Sequence, residues 1–346
     1  MNAPPSGTAL SSAVLHREPR ARLLLPVLAL ALVLSAGASL ALGPVTLTPA
    51  RLIAALLGHG DRIADAIVLD LRLPRLLVGL LVGAALGLSG AVLQGYLRNP
   101  LAEPSVLGIS NAAALGAVIA LYFGLSQWHS AMVPVMAVTC SILALFALFA
   151  LAGKAGGSLT LILAGIAVST LAGAGVSLAL NLSPNPFAAM EIMSWLLGSL
   201  ENRSFEHVLL AVPCVVLGSA LLLATGRDLD ALTLGEDGAR SLGVALGTTR
   251  LRVLLGCAIA VGGAVAVTGS IGFVGLIVPH LIRPFTDRSP SAVLVPSMLG
   301  GALLLTLADV LVRLVPTSSE LKLGVVTAFL GVPVFLVQLL RERQPW

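Results

Sequence analysis

Apolar residues fill ten runs along the chain, and polar residues collect between them. The runs lie at about 22–42, 76–96, 105–124, 130–152, 158–181, 207–226, 251–268, 271–284, 292–312 and 322–340. The hydrocarbon core of a bilayer takes roughly 20 helical residues. The pattern therefore predicts an all-α, polytopic membrane protein of about ten transmembrane helices. The run at 271–284 is short, and fits only if neighbouring helices bury it or if it starts as a partly re-entrant segment. Its sequence, "GSIGFVGLIVPHLIRPF" from Gly269, stops in Pro279, His280 and Arg283.

The polar stretches divide the chain. Residues 1–21 read as a polar tail, 22–341 as the membrane domain, 227–250 as a long loop within it, and 342–346 as a second tail. The first run has small residues after it, as a signal peptide has, but it is long enough to span. With the N-terminus placed inside, 13 Lys and Arg fall on the inner side and 7 on the outer side. That bias puts both ends in the cytoplasm. The outer stretch 43–75 holds Thr48 and Pro49, a cap and first helical residue, followed by Leu52, Ile53, Leu56 and Leu57 at helical spacing. A helix lying at the interface is expected there. Another is expected in 182–206, around Trp195.

Composition agrees and excludes. The chain is 57% hydrophobic and 10% charged, against about 25% charged in soluble domains. The net charge of +4 is too small and too scattered for a nucleic-acid surface. Cys140, Cys214 and Cys257 lie far apart in apolar runs, and the five histidines are dispersed, so no disulfide framework or metal centre is expected. Lys154 and Lys322 sit in no phosphate loop, so the chain has no ATPase site of that kind. Intramembrane carboxylates are scarce, with Asp309 beside Arg313 the clearest. Ion-driven carriers usually bury such groups along their pathways, which counts against an ion-coupled secondary carrier. A weak internal repeat pairs the glycine-rich segments after Arg75 and after Arg252. They run in opposite directions, as in the inverted repeats of transporters.

Four strings then converge, in order: "LRLPRLLVGLLVGAALGLSGAVLQGYLRNPLAEPSVLGISNAAALGA" (71–117), "GEDGARSLGV" (235–244), "GSIGFVGLIVPHLIR" (269–283) and "ADVLVRLVPTSSELKLGVVTAFLGVPVFLVQLLR" (308–341). Together they resemble the FecCD-type permease family of bacterial type II ABC importers for iron–siderophore complexes, haem and cobalamin. The resemblance spans nearly the whole chain from about residue 20. It implies an inner-membrane permease that pairs with a second permease copy, a homodimer or a heterodimer with a similar chain. Two cytoplasmic ATPase subunits would carry ATP and magnesium, and a periplasmic substrate-binding protein would dock outside. This chain itself would bind no cofactor. The cargo implied is an iron chelate, with cobalamin as the alternative.

The resemblance also assigns residues. Gly235, Glu236, Ala239, Arg240, Leu242, Gly243 and Val244 fall in the loop that would seat in the ATPase, though a solvated connector fits the same residues. Arg72, Arg75 and Arg313 would meet acidic residues of the binding protein. Membrane-end anchoring, or pairing with Asp70 and Asp309, is the alternative. Ser169, Thr170, Ser177 and Asn181 would line the pathway, and Gly157 and Ser158 would lie near an inner gate. The same small residues suit plain helix packing. Pro279 would break the helix ladder, His280 would bond a backbone carbonyl, and Arg283 would anchor at headgroups or at the ATPase side. Many family members have proline where this chain has Lys322, a departure that bears on docking.

Overall fold

A computed structural model describes residues 18–43, 45–129, 131–153, 158–315 and 320–342. Of the expected tails 1–21 and 342–346, residues 1–17 and 343–346 lie outside the described residues, as do Gly157 and the side chain of Ser158, while 18–21 and 342 are helical. Among the described residues every regular element is helical.

Ten principal helices stand where the ten apolar runs stand. They are α1 (Glu18–Ala41), α4 (Leu73–Leu97), α5 (Ile109–Tyr122), α6 (Met132–Ala152), α7 (Ser158–Asn181), α9 (Phe205–Leu223), α12 (Leu246–Thr268), α13 (Val274–Ile282), α14 (Pro290–Leu314) and α15 (Leu323–Glu342). Among the described residues, seven helices are long and apolar enough to cross a membrane, and the shorter apolar ones are Ile109–Tyr122, Val274–Phe285 and Leu323–Val337. The chain is a multi-pass membrane protein. Helix α5 starts late because Pro100 and Pro104 hold residues 98–108 out of a helix.

The short helices are α2 (Pro49–Leu56), α3 (Arg62–Asp65), α8 (Pro186–Leu196), α10 (Gly226–Leu232) and α11 (Glu236–Ser241). Thr48 caps α2, with Pro49 as its first residue, as the sequence predicts. Asn185 caps α8 by accepting from the Ala188 N–H at 2.9 Å. One expectation changes. Residues 62–75 are not loop: α3, a π-helical turn over Ala66–Arg72 and α4 join into one helical stretch, Arg62–Leu97.

Helix α4 is the centre of the bundle and packs against α14, α9, α13 and α12. Its glycines explain why. A Cβ on Gly83 would lie 2.3 Å from the Gly301 carbonyl oxygen of α14, and one on Gly87 2.2 Å from that of Ser297. A Cβ on Gly90 would lie 1.9 Å from the Gly275 oxygen of α13. Small residues here let backbones touch, which is how membrane helices gain contact without a hydrophobic drive. Helices α9 and α12 pack the same way, through Gly218 against Ala260 and Gly263 against Cys214.

The repeat partners α4 and α12 are the two most buried spans, each with 78% of its apolar window inside the fold. They are antiparallel. The outer part of α4 at Gly79 adjoins Leu200, and the next residue back, Ser199, donates its N–H to the Thr268 carbonyl at the end of α12. The start of α1 and the end of α15 lie on one side, with residues 227–250. That side is called inner below, after the charge bias. Gly90→Val should force α4 and α13 apart and cost about 1–3 kcal/mol, the usual penalty of overpacking. The check is a lower apparent melting temperature of the purified protein in detergent.

Candidate functional site

The stretch 269–285 is a broken span. Residues 269–273 are non-helical, with Gly269 at φ +75° and Phe273 at φ +68°. Irregular backbone inside a membrane protein needs its polar groups satisfied by the protein itself. Two side chains do this. The Glu103 carboxylate accepts from the Phe273 N–H at 2.6 Å, at the N-terminal end of α13. Gln94, almost wholly buried on α4, donates Nε2 to the carbonyls of Leu276 at 3.2 Å and Gly275 at 3.4 Å. Gly275 needs that donor because Pro279, four residues on, has no N–H to give it. Arg283 in turn donates Nη2 to Gln94 Oε1 at 3.1 Å. Arg283 is thus tied to the proline break as well as standing at the membrane end. His280 follows Pro279 in the last turn of α13.

Neither Gln94 nor Glu103 stands out from the sequence by motif. The signal for Gln94 was available: it is the one amide on the inner half of α4, one turn past Gly90.

At the outer end the three arginines turn into the fold. Arg75 holds Asp309 through Nε at 2.9 Å and Nη2 at 2.7 Å, and it also holds Glu320. Arg313 pairs with Asp309 at 3.0 Å and donates to the Ser39 carbonyl at 3.0 Å and the Ser39 hydroxyl at 2.7 Å. Arg72 donates to the carbonyls of Leu40 at 2.7 Å and Ala41 at 2.9 Å, and to that of Val45. The arginines therefore clamp the end of α1 onto α4 and α14. A partner's carboxylate reaches them only by displacing these internal groups. Lys322 pairs with Glu201 at 3.3 Å, beside a polar pocket of about 390 Å³ that includes Trp195, Ser199 and Arg203.

On the inner face, α10 and α11 are two short helices within 227–250. Gly235 at φ +90° and Gly243 at φ +86° bracket α11. The apolar residues divide between two directions. Ala239 is fully buried, Val244 is half-buried, and Leu242 and Leu234 point outward, 64% and 69% exposed. Arg240 pairs with Glu236 at 3.6 Å and Asp237 at 3.3 Å on its own helix. The base of the loop is fixed: Asp230 accepts from the Ser291 N–H at 2.9 Å, and Asp228 accepts from the Thr249 hydroxyl at 2.7 Å. The outcome is an exposed apolar knob on a rigid base.

Helix α7 shows two unlike faces. Its inner face packs on α5 and residues 98–108: Gly165 lies against Leu107, and Ser169 accepts from the Asn111 amide. Ser169, half-buried, therefore faces α5. The other face carries Thr160, Leu163, Ala167, Thr170, Ala174, Ser177 and Asn181, at alternating intervals of three and four, all exposed. Thr170 and Ser177 donate their hydroxyls to carbonyls one turn back, at 2.8 and 3.0 Å. The face is thus small and only weakly polar. Only 22% of the helix's apolar window is buried. Among the described residues, no three His, Cys, Asp or Glu side chains come together to hold a metal ion.

Comparison with known proteins bears on this geometry. The sequence pattern of the FecCD transport family matches residues 28–341. A cobalamin import system permease of Halobacterium salinarum is 41% identical over 283 residues, covering 81% of this chain and 75% of its own length. A hemin transport system permease of Yersinia pestis is 39% identical over 286 residues, covering 80% of this chain and 84% of its own. A solved structure of a candidate metal-chelate type ABC transporter, in an inward-facing conformation, has a TM-score of 0.83 at 33% identity. It covers 92% of this chain and 99% of that one.

The Glu103 contact has a stability signature. Glu103→Ala leaves the Phe273 N–H at the broken span without its acceptor, which should cost about 1–3 kcal/mol. The check is a lower melting temperature of the purified protein in detergent. An unchanged melting temperature would contradict the role of Glu103.

Proposed function

We propose a function from one premise: the chain belongs to the FecCD transport family. It is a permease subunit of an ABC importer, and its cargo is an iron chelate, a ferric siderophore or haem. It sits in the bacterial inner membrane with both termini in the cytoplasm. Two copies stand side by side. ATP hydrolysis on two cytoplasmic subunits drives movement, and a periplasmic binding protein delivers the cargo. The open face of α7 carries this reading best. Its hydroxyls are spent on their own helix, so a bulky polar chelate meets methyl groups and small residues and slides without being held. Rigid-body movement of the ATPase subunits would reach the bundle through Leu242 and Leu234, because α10 and α11 are anchored to α12 and α14 at their base.

The named activity of the Yersinia relative favours haem, and that of the Halobacterium relative favours cobalamin, which stays the second reading. An ion-coupled carrier has less support. Asp309 is pinned between two arginines and Glu103 serves a backbone N–H, so neither is placed to pick up and release a travelling ion. Arg72, Arg75 and Arg313 serve docking by exchange, trading Asp309, Glu320 or a carbonyl for an acidic residue of the binding protein. Rim charges of this kind set register and encounter rate more than affinity.

The test is uptake in cells lacking this gene, with and without its restoration, using labelled ferric siderophores, haem and cobalamin. Restored uptake of one iron compound is expected. Restoration by cobalamin alone would replace the cargo, and no restoration would overturn the proposal. In the same cells Leu242→Asp should abolish uptake while the protein still reaches the membrane. Uptake at the normal rate would remove Leu242 from the coupling surface.

A further inference from the structure

A cleft of about 600 Å³ runs between α1, the end of α13 and the middle of α14. Leu23, Val27, Leu281, Phe285, Leu304 and Leu307 are among its walls, and every lining side chain is apolar. Its depth follows from its neighbours. The outer end of α1, at Ser39–Ala41, is held by Arg313 and Arg72, so Leu23 and Leu24 lie near the inner end. Ile282 and Phe285 precede the inner turn into α14. The cleft therefore opens at the depth of the inner leaflet. Helix α1 rests mainly on α14 and has only 17% of its apolar window buried.

We propose that this cleft holds the acyl chains of an anionic phospholipid whose phosphate sits at Arg288, in the turn just past Phe285. The medium beside the cleft is hydrocarbon, and an unfilled gap would forfeit dispersion contacts along its walls. A polar chelate has nothing to bond there. A second copy of the chain has a better surface in α7. The charge comes from the turn just past Phe285. Arg288 stands exposed there. It makes no ion pair among the described residues. The intervening acid, Asp287, accepts from the Ser289 N–H at 2.9 Å and the Ser289 hydroxyl at 2.8 Å. Arg283 is turned toward α4 instead, where it donates to Gln94. The sequence places Arg20 and Arg22 immediately before Leu23, at the same end of α1. Basic pockets between membrane helices on the cytoplasmic side are the usual seat of anionic headgroups. The site depends on membrane placement alone and stands whatever the cargo is.

The experiment uses the full chain purified in mild detergent. Lipid retained per chain is counted by native mass spectrometry after adding phosphatidylglycerol or phosphatidylcholine. The unaltered protein should keep phosphatidylglycerol in preference to phosphatidylcholine. Arg288→Gln should cut that preference about fivefold, the worth of one arginine near an anionic surface. Leu304→Trp, and Val27→Trp from the opposite wall, should lower retention of both lipids. Glycerol 3-phosphate, a headgroup without tails, should displace neither. Equal retention by the unaltered protein and both tryptophan variants would overturn the site, as would displacement by glycerol 3-phosphate. Loss of chain–chain association in the tryptophan variants would assign the cleft to a second copy and overturn it too.

Discussion

Backbone-to-backbone contact along α4 constrains everything around it. Gly83, Gly87 and Gly90 leave no room for a side chain, so α13 and α14 lie directly on the helix. In a bilayer, where burial of apolar surface from water does not draw helices together, such close packing is the main cohesion available. It has consequences at both ends. At the outer end it brings Arg75 to Asp309, 234 residues away in sequence. Toward the inner end it sets Gln94 beside the Gly275 carbonyl that Pro279 leaves without a donor. The charge cluster and the repaired helix break both follow from one seam of glycines.

The same packing makes the chain one-sided. Helices α4 and α12 are sealed within it, while α7 shows a full face to its surroundings. That face is too weakly polar to bind cargo tightly, and Leu171 and Leu178 are exposed beside it. Within the proposed function it becomes one wall of a passage that a second copy completes. The intramembrane carboxylates are held in place, so the moving parts are whole helices, pushed from the inner loop.

Much of this was legible in the sequence. The ten runs, the capped helix after Thr48 and the helix around Trp195 stand where the sequence pattern puts them, while the stretch read as a long loop at 227–250 holds two short helices, Gly226–Leu232 and Glu236–Ser241. The upward extension through 62–72 was hidden because Arg62, Asp65, Asp70 and Arg72 look like loop residues. They are helical residues at the end of a span, where Arg72 finds backbone carbonyls of α1. The roles of Arg75 and Arg313 were open because their partners are distant in sequence, and charge alone does not say whether an arginine faces in or out. Ser169 and Thr170 are adjacent and alike, yet only the packing of α5 through Asn111 tells which one faces the bundle. Glu103 was invisible for the same reason: its partner is a backbone N–H 170 residues on.

The central claim is that the exposed face of α7 meets the passage shared with a second copy. The most direct measurement is cross-linking between chains from that face. Cys140, Cys214 and Cys257 would first be replaced by alanine in a chain that still restores uptake. Ala174→Cys would then be treated in membranes with a short bifunctional maleimide, with Val33→Cys on α1 as the comparison. The account predicts covalent dimers from position 174 and few from position 33. Dimers from position 33 with none from 174 would contradict it.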